Sequence, residues 1–329
     1  MAQVVRFHRI GGPEVLQIDT LDVPAPGVGE VRIQVKALGL NRAEAMFRSG
    51  HYLETPVPPS KLGYEAAGVV DAVGPGVIGL KKGDAVSTIP SFSQAAYGVY
   101  GDLALLPASA VVKHPISLSW NEAAAVWMQY LTAYGALIDI ANLTAGDTVL
   151  IPAASSSVGI AAIQIANRVG AAPIALTRRP DKLKALLGLG ALHAIATETQ
   201  DLVAEVKKVT VGKGARVVFD PVGGPTVVKL AAAMAPHGIL FQYGALSTEP
   251  TPLPLWDLLA KTLTIRGYVL FEIVSDPARR DSGVRWVVEG LESGKLKPVI
   301  AKTFPLSEIV AAHRYLESNQ QIGKIVVTV

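Results

Sequence analysis

The sequence predicts an α/β protein in which a doubly wound parallel sheet is joined to a second, β-rich domain. Three observations predict it. Up to about Ser119 the chain reads as short strands set off by Pro and Gly, and from Trp120 onward strands alternate with helical stretches. The run IPAASSSVGIAAIQIANRVGA, residues 151–171, passes from a strand through small residues into an alanine-rich helix. That layout presents the N–H groups of a helix start to a phosphate.

In the first part, VVRFHRI, EVRIQVKALGL, AAGVVDAVG, GDAVSTI and GDLALLP alternate at period two with turns between them, as half-buried strands do. NEAAAVWMQYLTAYGALIDIAN is helical in period, with Ser119 or Asn121 as its cap. Six strands with intervening helices come next: TVLIPA, PIALT, HAIAT, RVVFD, GILFQYG and LTIRGYVL. The tail adds a helix, a strand-like KPVIAKTFP, another helix and a final KIVVTV, which do not extend the series and are expected to complete the first domain. The expected domains are residues 1–119 with 269–329, and residues 120–268.

Composition narrows the function classes. A chain of 329 residues with 50% hydrophobic and 17% charged residues is long enough for two packed domains. Its formal charge of +3, with no Lys/Arg run longer than two, gives no support to a nucleic-acid or membrane-surface role. The absence of cysteine removes disulfides, cysteine-ligated zinc and thiol catalysis together. Apolar runs stop well short of the roughly 18 residues a membrane span needs, and MAQVVRFHRIGGPEVLQ is no signal peptide, so the cytoplasm is the expected compartment.

The turn after the first strand of the series needs small side chains and free N–H groups. Ser155, Ser156 and Ser157 stand where glycines are usual, followed by Val158 and Gly159. Serine meets both needs and adds hydroxyl donors, although a serine run also caps buried helices. The end of the second strand says which dinucleotide fits. An NAD site places an acid there for the ribose hydroxyls, whereas PIALTRRPDK places Thr177, Arg178 and Arg179, with Lys182 just beyond. These groups attract a 2′-phosphate, so NADPH is the expected cofactor. The plainer alternative is a solvated helix start in which Asp181 complements the helix dipole.

Several segments resemble the medium-chain dehydrogenase/reductase superfamily over nearly the whole chain: GGPEVLQ, PAPGVGEVRIQVKALGLNRAEAMFRSGHY, KLGYEAAGVVDAVGPGV with LKKGDAV, EAAAVWMQYLTAYGAL, AGDTVLIPAASSSVGIAAIQIA, GARVVFDPVGG and GKIVVTV. The resemblance implies a Rossmann domain and a GroES-like substrate domain. In the zinc branch a Cys, a His and a third ligand would fall where this chain has Asn41, Tyr64 and Met128, and Glu65 alone cannot hold a catalytic zinc. No metal is therefore expected. The chain is similar instead to the quinone oxidoreductase branch, which includes ζ-crystallin-like proteins.

That resemblance implies Asn41 and Tyr52 as hydrogen-bond donors to the reacting oxygen, with Tyr64 a further aromatic donor or a filler of the ligand's space. On the cofactor side it implies Gln129, where the branch often has a basic residue, and Thr132. It also implies Tyr243, Gly244 and Leu246 in FQYGALS, and Val269, Leu270 and Phe271 in GYVLFE, as strand ends flanking the cofactor. Lys324 in IGKIVV is implied to reach it as well. The implied activity is NADPH-dependent hydride transfer to a quinone or to the C=C of an α,β-unsaturated carbonyl. A metal-free carbonyl reductase or alcohol dehydrogenase, and a non-catalytic NADPH-binding protein of the crystallin kind, stay open beside it. Many relatives are homodimers joined through the last strand of the nucleotide sheet, for which LTIRGYVLF is apolar enough.

Overall fold

The computed structural model describes residues 1–329, and the chain divides into two compact units, Met1–Met128 with Pro298–Val329, and Gln129–Lys297. The divisions fall after residues 128 and 297, not after 119 and 268. Local packing accounts for both shifts. Ser119 and Glu122 cap Trp120–Ala123 reciprocally, and the alanines after them pack on Ala37, Ala67 and Val326 of the first unit. Trp127 Nε1 then donates to Ser87 Oγ at 2.7 Å. At the other end, helix Pro277–Glu292 belongs to the second unit, where the Arg168 guanidinium lies 3.8 Å over the Trp286 ring.

The first unit contains strands β1 (Ala2–Phe7), β2 (Leu16–Leu21), β3 (Glu30–Leu40), β4 (Ser60–Lys61), β5 (Glu65–Val73), β6 (Ala85–Thr88), β7 (Leu103–Pro107) and β8 (Val111–Lys113). The second contributes β9 (Thr148–Ile151), β10 (Ala172–Thr177), β11 (His193–Ala196), β12 (Ala215–Asp220), β13 (Met234–Gln242) and β14 (Thr264–Gly267), and the chain returns to the first unit with β15 (Ile300–Pro305) and β16 (Lys324–Thr328). The larger sheet of the first unit runs β15-β16-β3-β5-β6-β8, with β7 also on β3, and a smaller one runs β2-β1-β4.

Strand β3 explains how the larger sheet is closed. Its early residues alternate between buried and partly exposed, but Ala37–Leu40 are buried throughout. There Gly39 lies so close to Ala124 that a Cβ would stand 2.0 Å from the Ala124 carbonyl oxygen, so only glycine fits. Leu40 pairs with Ile325 and Gly39 with Glu65. This register brings the ends of three strands together at residues 41, 65 and 324.

The second unit is a parallel sheet of order β11-β10-β9-β12-β13-β14, which reads 3-2-1-4-5-6 in order along the chain. The direction of winding reverses beside β9, and in such sheets ligands bind beyond the carboxyl ends of the strands at that point. Buried Leu150, Ile174, Ile195, Val218 and Leu240 form the middle of the sheet's core. Each contributes roughly 1.5–3 kcal/mol by leaving water. No helix is long and apolar enough to cross a membrane.

Candidate active site

In the second unit three groups of the residues expected at the cofactor follow the carboxyl ends of β9, β10 and β13. Ser156 is the N-cap of helix Ser157–Arg168, and its Oγ accepts from the Gly159 N–H at 3.0 Å. A Cβ on Gly159 would stand 2.6 Å from the Ala154 Cα, so this glycine serves the close approach of the helix to the turn. Ser155 Oγ accepts from Lys182 Nζ at 3.0 Å, which ties the turn after β9 to the segment after β10. Burial lowers the Lys182 ammonium from its ordinary range, and the neighbouring Arg178 and Arg179 add to the effect despite Asp181. Three cations thus crowd one place. Arg178 and Arg179 are exposed there, and the single ion pair of Arg179, to Asp181 at 3.9 Å, is worth little in water. Thr177 ends β10 with its carbonyl held by Thr197.

Gln129 and Thr132 are both buried on helix Trp127–Tyr134, and three residues apart they share one side of it. Gln129 Oε1 has no hydrogen-bond partner. Tyr243 comes after β13, its ring stacked on Phe219 at 4.0 Å and 18° and its buried hydroxyl likewise unpartnered. Gly244 packs against the Pro221 carbonyl, where a Cβ would approach to 2.7 Å, and Leu246 is partly exposed beyond it. Val269, Leu270 and Phe271 do not form a strand end. Strand β14 stops at Gly267, the N–H of Tyr268 still reaches the Gln242 carbonyl, and Phe271 begins the short helix Phe271–Val274.

In the first unit the register of β3, β5 and β16 assembles a buried polar cluster. Asn41 is the N-cap of helix Arg42–Arg48, and its backbone N–H donates to Glu44 Oε2 at 2.7 Å. Its side-chain Nδ2 faces Glu44 Oε1 at 3.1 Å, Glu65 Oε2 at 3.2 Å and the Gly39 carbonyl at 3.3 Å. Lys324 Nζ donates to Asn41 Oδ1 at 2.5 Å and to Glu65 Oε2. Glu65 Oε1 accepts from the Met128 N–H at 2.9 Å, and Glu44 Oε1 from the Tyr64 N–H at 3.2 Å. Two expectations change here. The Asn41 amide turns inward, because buried carboxylates are stronger acceptors than a neutral carbonyl. Lys324 is held in the same cluster, because its burial requires a counter-ion and Glu65 supplies one.

Glu44, which sequence reasoning missed, completes the cluster. Its signal was present in Asn41-Arg-Ala-Glu44, the spacing of a capping box. Burial pushes its carboxyl up to about 7, against the pull of Lys324 and the Asn41 hydrogen bond. The cluster holds two carboxylates and one ammonium.

Tyr52 and Tyr64 lie beside it. Their ring centroids are 6.4 Å apart, their hydroxyls are hydrogen-bonded, and Tyr64 also packs on Phe92 at 5.7 Å. Burial pushes the Tyr52 phenol up to about 12 and the Tyr64 phenol higher still. Both phenols carry a proton, so with Tyr64 donating to Tyr52 the half-buried Tyr52 keeps its own proton for another acceptor. No group of three or more His, Cys, Asp or Glu side chains converges on a point that could hold a metal ion.

A parallel sheet of this order and a β-rich unit in one chain, with Asn41, Tyr64 and Met128 at the ligand positions, define a medium-chain dehydrogenase/reductase of the zinc-free kind. The alcohol dehydrogenase GroES-like domain matches residues 27–116, and the zinc-binding dehydrogenase model matches residues 189–327. The 2-haloacrylate reductase of Burkholderia sp is 33% identical over 99% of this chain and 98% of its own length. The Escherichia coli quinone oxidoreductase, solved in complex with NADPH, is 30% identical with a TM-score of 0.91, over 99% of this chain and all of that one. A solved NAD-dependent alcohol dehydrogenase is 34% identical with a TM-score of 0.91, over 99% of both chains. The chain belongs to the zinc-free quinone oxidoreductase branch of the medium-chain dehydrogenase/reductase superfamily, and it is an oxidoreductase.

Proposed function

We propose that the protein is an NADPH-dependent reductase that acts on quinones or on the C=C of α,β-unsaturated carbonyls, with Tyr52 as the donor to the acceptor's oxygen. The observation that carries this reading is the hydrogen-bonded phenol pair, Tyr64 buried and Tyr52 half-buried, in which donation from Tyr64 leaves the Tyr52 proton available. NADPH supplies a hydride when bound. The chain's residues fit it: Arg178, Arg179 and Lys182 suit a 2′-phosphate, the turn 155–159 suits a pyrophosphate, and the orphaned Gln129 Oε1 suits a carboxamide N–H. Asn41 contributes by holding Glu44, Glu65 and Lys324 in place, not by touching the acceptor. We further propose a homodimer joined through β14, an edge strand of four residues with exposed ends.

A panel of quinones, enones, aldehydes and ketones, monitored by NADPH oxidation, tests the reaction. Reduction of quinones or enones is expected. Activity on simple ketones alone would favour a carbonyl reductase, and activity on none a binding protein. In single-turnover measurements on the best acceptor, Tyr52→Phe is expected to slow hydride transfer roughly tenfold to a hundredfold, the range for losing one donor to a developing oxyanion where water partly substitutes. An unchanged rate would show that Tyr52 donates nothing.

The donor set also bears on metal. Purified protein is expected to contain no stoichiometric zinc and to keep its activity in chelator. About one zinc per chain, with activity lost to chelation and restored by zinc, would overturn it.

A further inference from the structure

Of the two carboxylates in the buried cluster, only one has the ammonium. Lys324 Nζ donates to Glu65 and to Asn41, while Glu44 is met by three neutral N–H groups, those of the Asn41 backbone, the Asn41 side chain and the Tyr64 backbone. Glu44 is fully buried. One of its oxygens therefore sits on the backbone of the residue whose hydroxyl supports Tyr52. We propose that Glu44 is a positioning residue for the Tyr52 donor: its carboxyl carries a proton in the fast form of the enzyme, and losing that proton sets a negative charge behind the two phenols and weakens Tyr52 as an acid. The proposal rests on the reading of Tyr52 as the donor.

The charged surroundings leave Glu44 as the group that switches. Burial and Glu65 oppose its ionisation, while Lys324 and the Asn41 hydrogen bond favour it. Tyr52, Tyr64 and Tyr100 all feel its charge, and each is harder to ionise for it. Arg48, on the same helix, is turned to His313 Nδ1 at 2.9 Å and to Glu317 at 2.7 Å. Glu54 also faces the two phenols, but it is half-buried and accepts from Ser93 Oγ. With Glu44 displaced upward to about 7, the charge appears across the neutral range. Below it both phenols face a neutral acid, and above it an anion without a direct counter-ion. The proton Tyr52 gives to the acceptor's oxygen is replaced from solvent, so Glu44 changes the acid strength and is not consumed.

Single-turnover oxidation of saturating NADPH by 1,4-naphthoquinone or 3-penten-2-one, measured from pH 5.5 to 9, tests this. The rate is expected to fall about tenfold as pH rises through the Glu44 midpoint. Glu44→Gln is expected to hold the low-pH rate across the range, whereas Glu54→Gln leaves the fall in place. A folded Glu44→Gln that keeps the fall overturns the proposal. Protein labelled with [13Cζ]tyrosine gives a second readout that needs no turnover. The resonances lost in Tyr52→Phe and Tyr64→Phe are expected to shift with that midpoint, and in Glu44→Gln they should not. If Glu44→Gln does not fold, [13Cδ]glutamate labelling of the parent protein decides: a carboxyl that titrates together with the tyrosine pair supports the proposal, and none titrating between pH 6 and 8 overturns it. Tyrosine shifts that track Glu44 while Tyr52→Phe leaves turnover unchanged would instead sink the reading of Tyr52 as donor.

Discussion

Lys324→Met is expected to destabilise the protein by about 3–5 kcal/mol at neutral pH, the usual penalty for removing one partner of a buried ion pair. The Lys324 side chain is fully buried and holds Glu65 and Asn41, so its loss leaves a carboxylate with only Asn41 and the Met128 N–H. The loss should depend on pH. Without the ammonium, the pull that Lys324 exerts on the Glu44 carboxyl is gone, and that carboxyl moves further upward in the folded state relative to the unfolded chain. A group raised in this way contributes stability that is present below its unfolded value and lost as pH rises through its folded one. Urea unfolding at pH 5 and pH 8 should therefore show Lys324→Met much nearer to the parent at pH 5. Adding Glu65→Gln should restore part of the difference at pH 8. Equal destabilisation at both pH values would mean that Lys324 contributes packing and not charge.

The second large effect is expected at the cofactor. With Arg178, Arg179 and Lys182 beyond β10, NADPH should be preferred to NADH by at least about tenfold in kcat/KM, or 1.4 kcal/mol. Arg178→Ala with Arg179→Ala should remove most of that preference and leave NADH use nearly unchanged. A well-formed charge-assisted hydrogen bond from Arg to phosphate is worth roughly 1.5–3 kcal/mol, but both arginines are exposed, so the preference should shrink as salt is added. Loss of both cofactors in equal measure would mean that the arginines hold the turn and not a phosphate.

The parallel sheet was legible because its strands are short apolar runs between helices, and all six lie where the pattern puts them, although the last ends at Gly267. Beyond Gly267 the pattern misleads. GYVLF is apolar enough for a strand, but Tyr268 closes the pairing with Gln242 and the chain turns into a helix at Phe271. Both unit boundaries moved because they depend on which face a helix packs against, and Trp127 with Ser87, or Arg168 with Trp286, are contacts that no local pattern announces. Asn41, Tyr52 and Tyr64 were found through resemblance to a family. Their arrangement was not legible, because the inward turn of Asn41 depends on Glu44, Glu65 and Lys324 arriving from three elements.

The unit that holds this cluster is built from both ends of the chain, and that has a consequence for synthesis. Asn41 and Lys324 are 283 residues apart, with the whole parallel sheet between them. The second unit is continuous and can pack while the chain is still growing, as domains generally do. Until residue 324 has left the ribosome, Glu44 and Glu65 have no ammonium beside them, and β3 lacks its neighbour β16. The edge of β3 stays open for that interval, and its last residues are apolar. For a nascent chain, the interval between the two halves of this unit is the period of greatest exposure to mispairing.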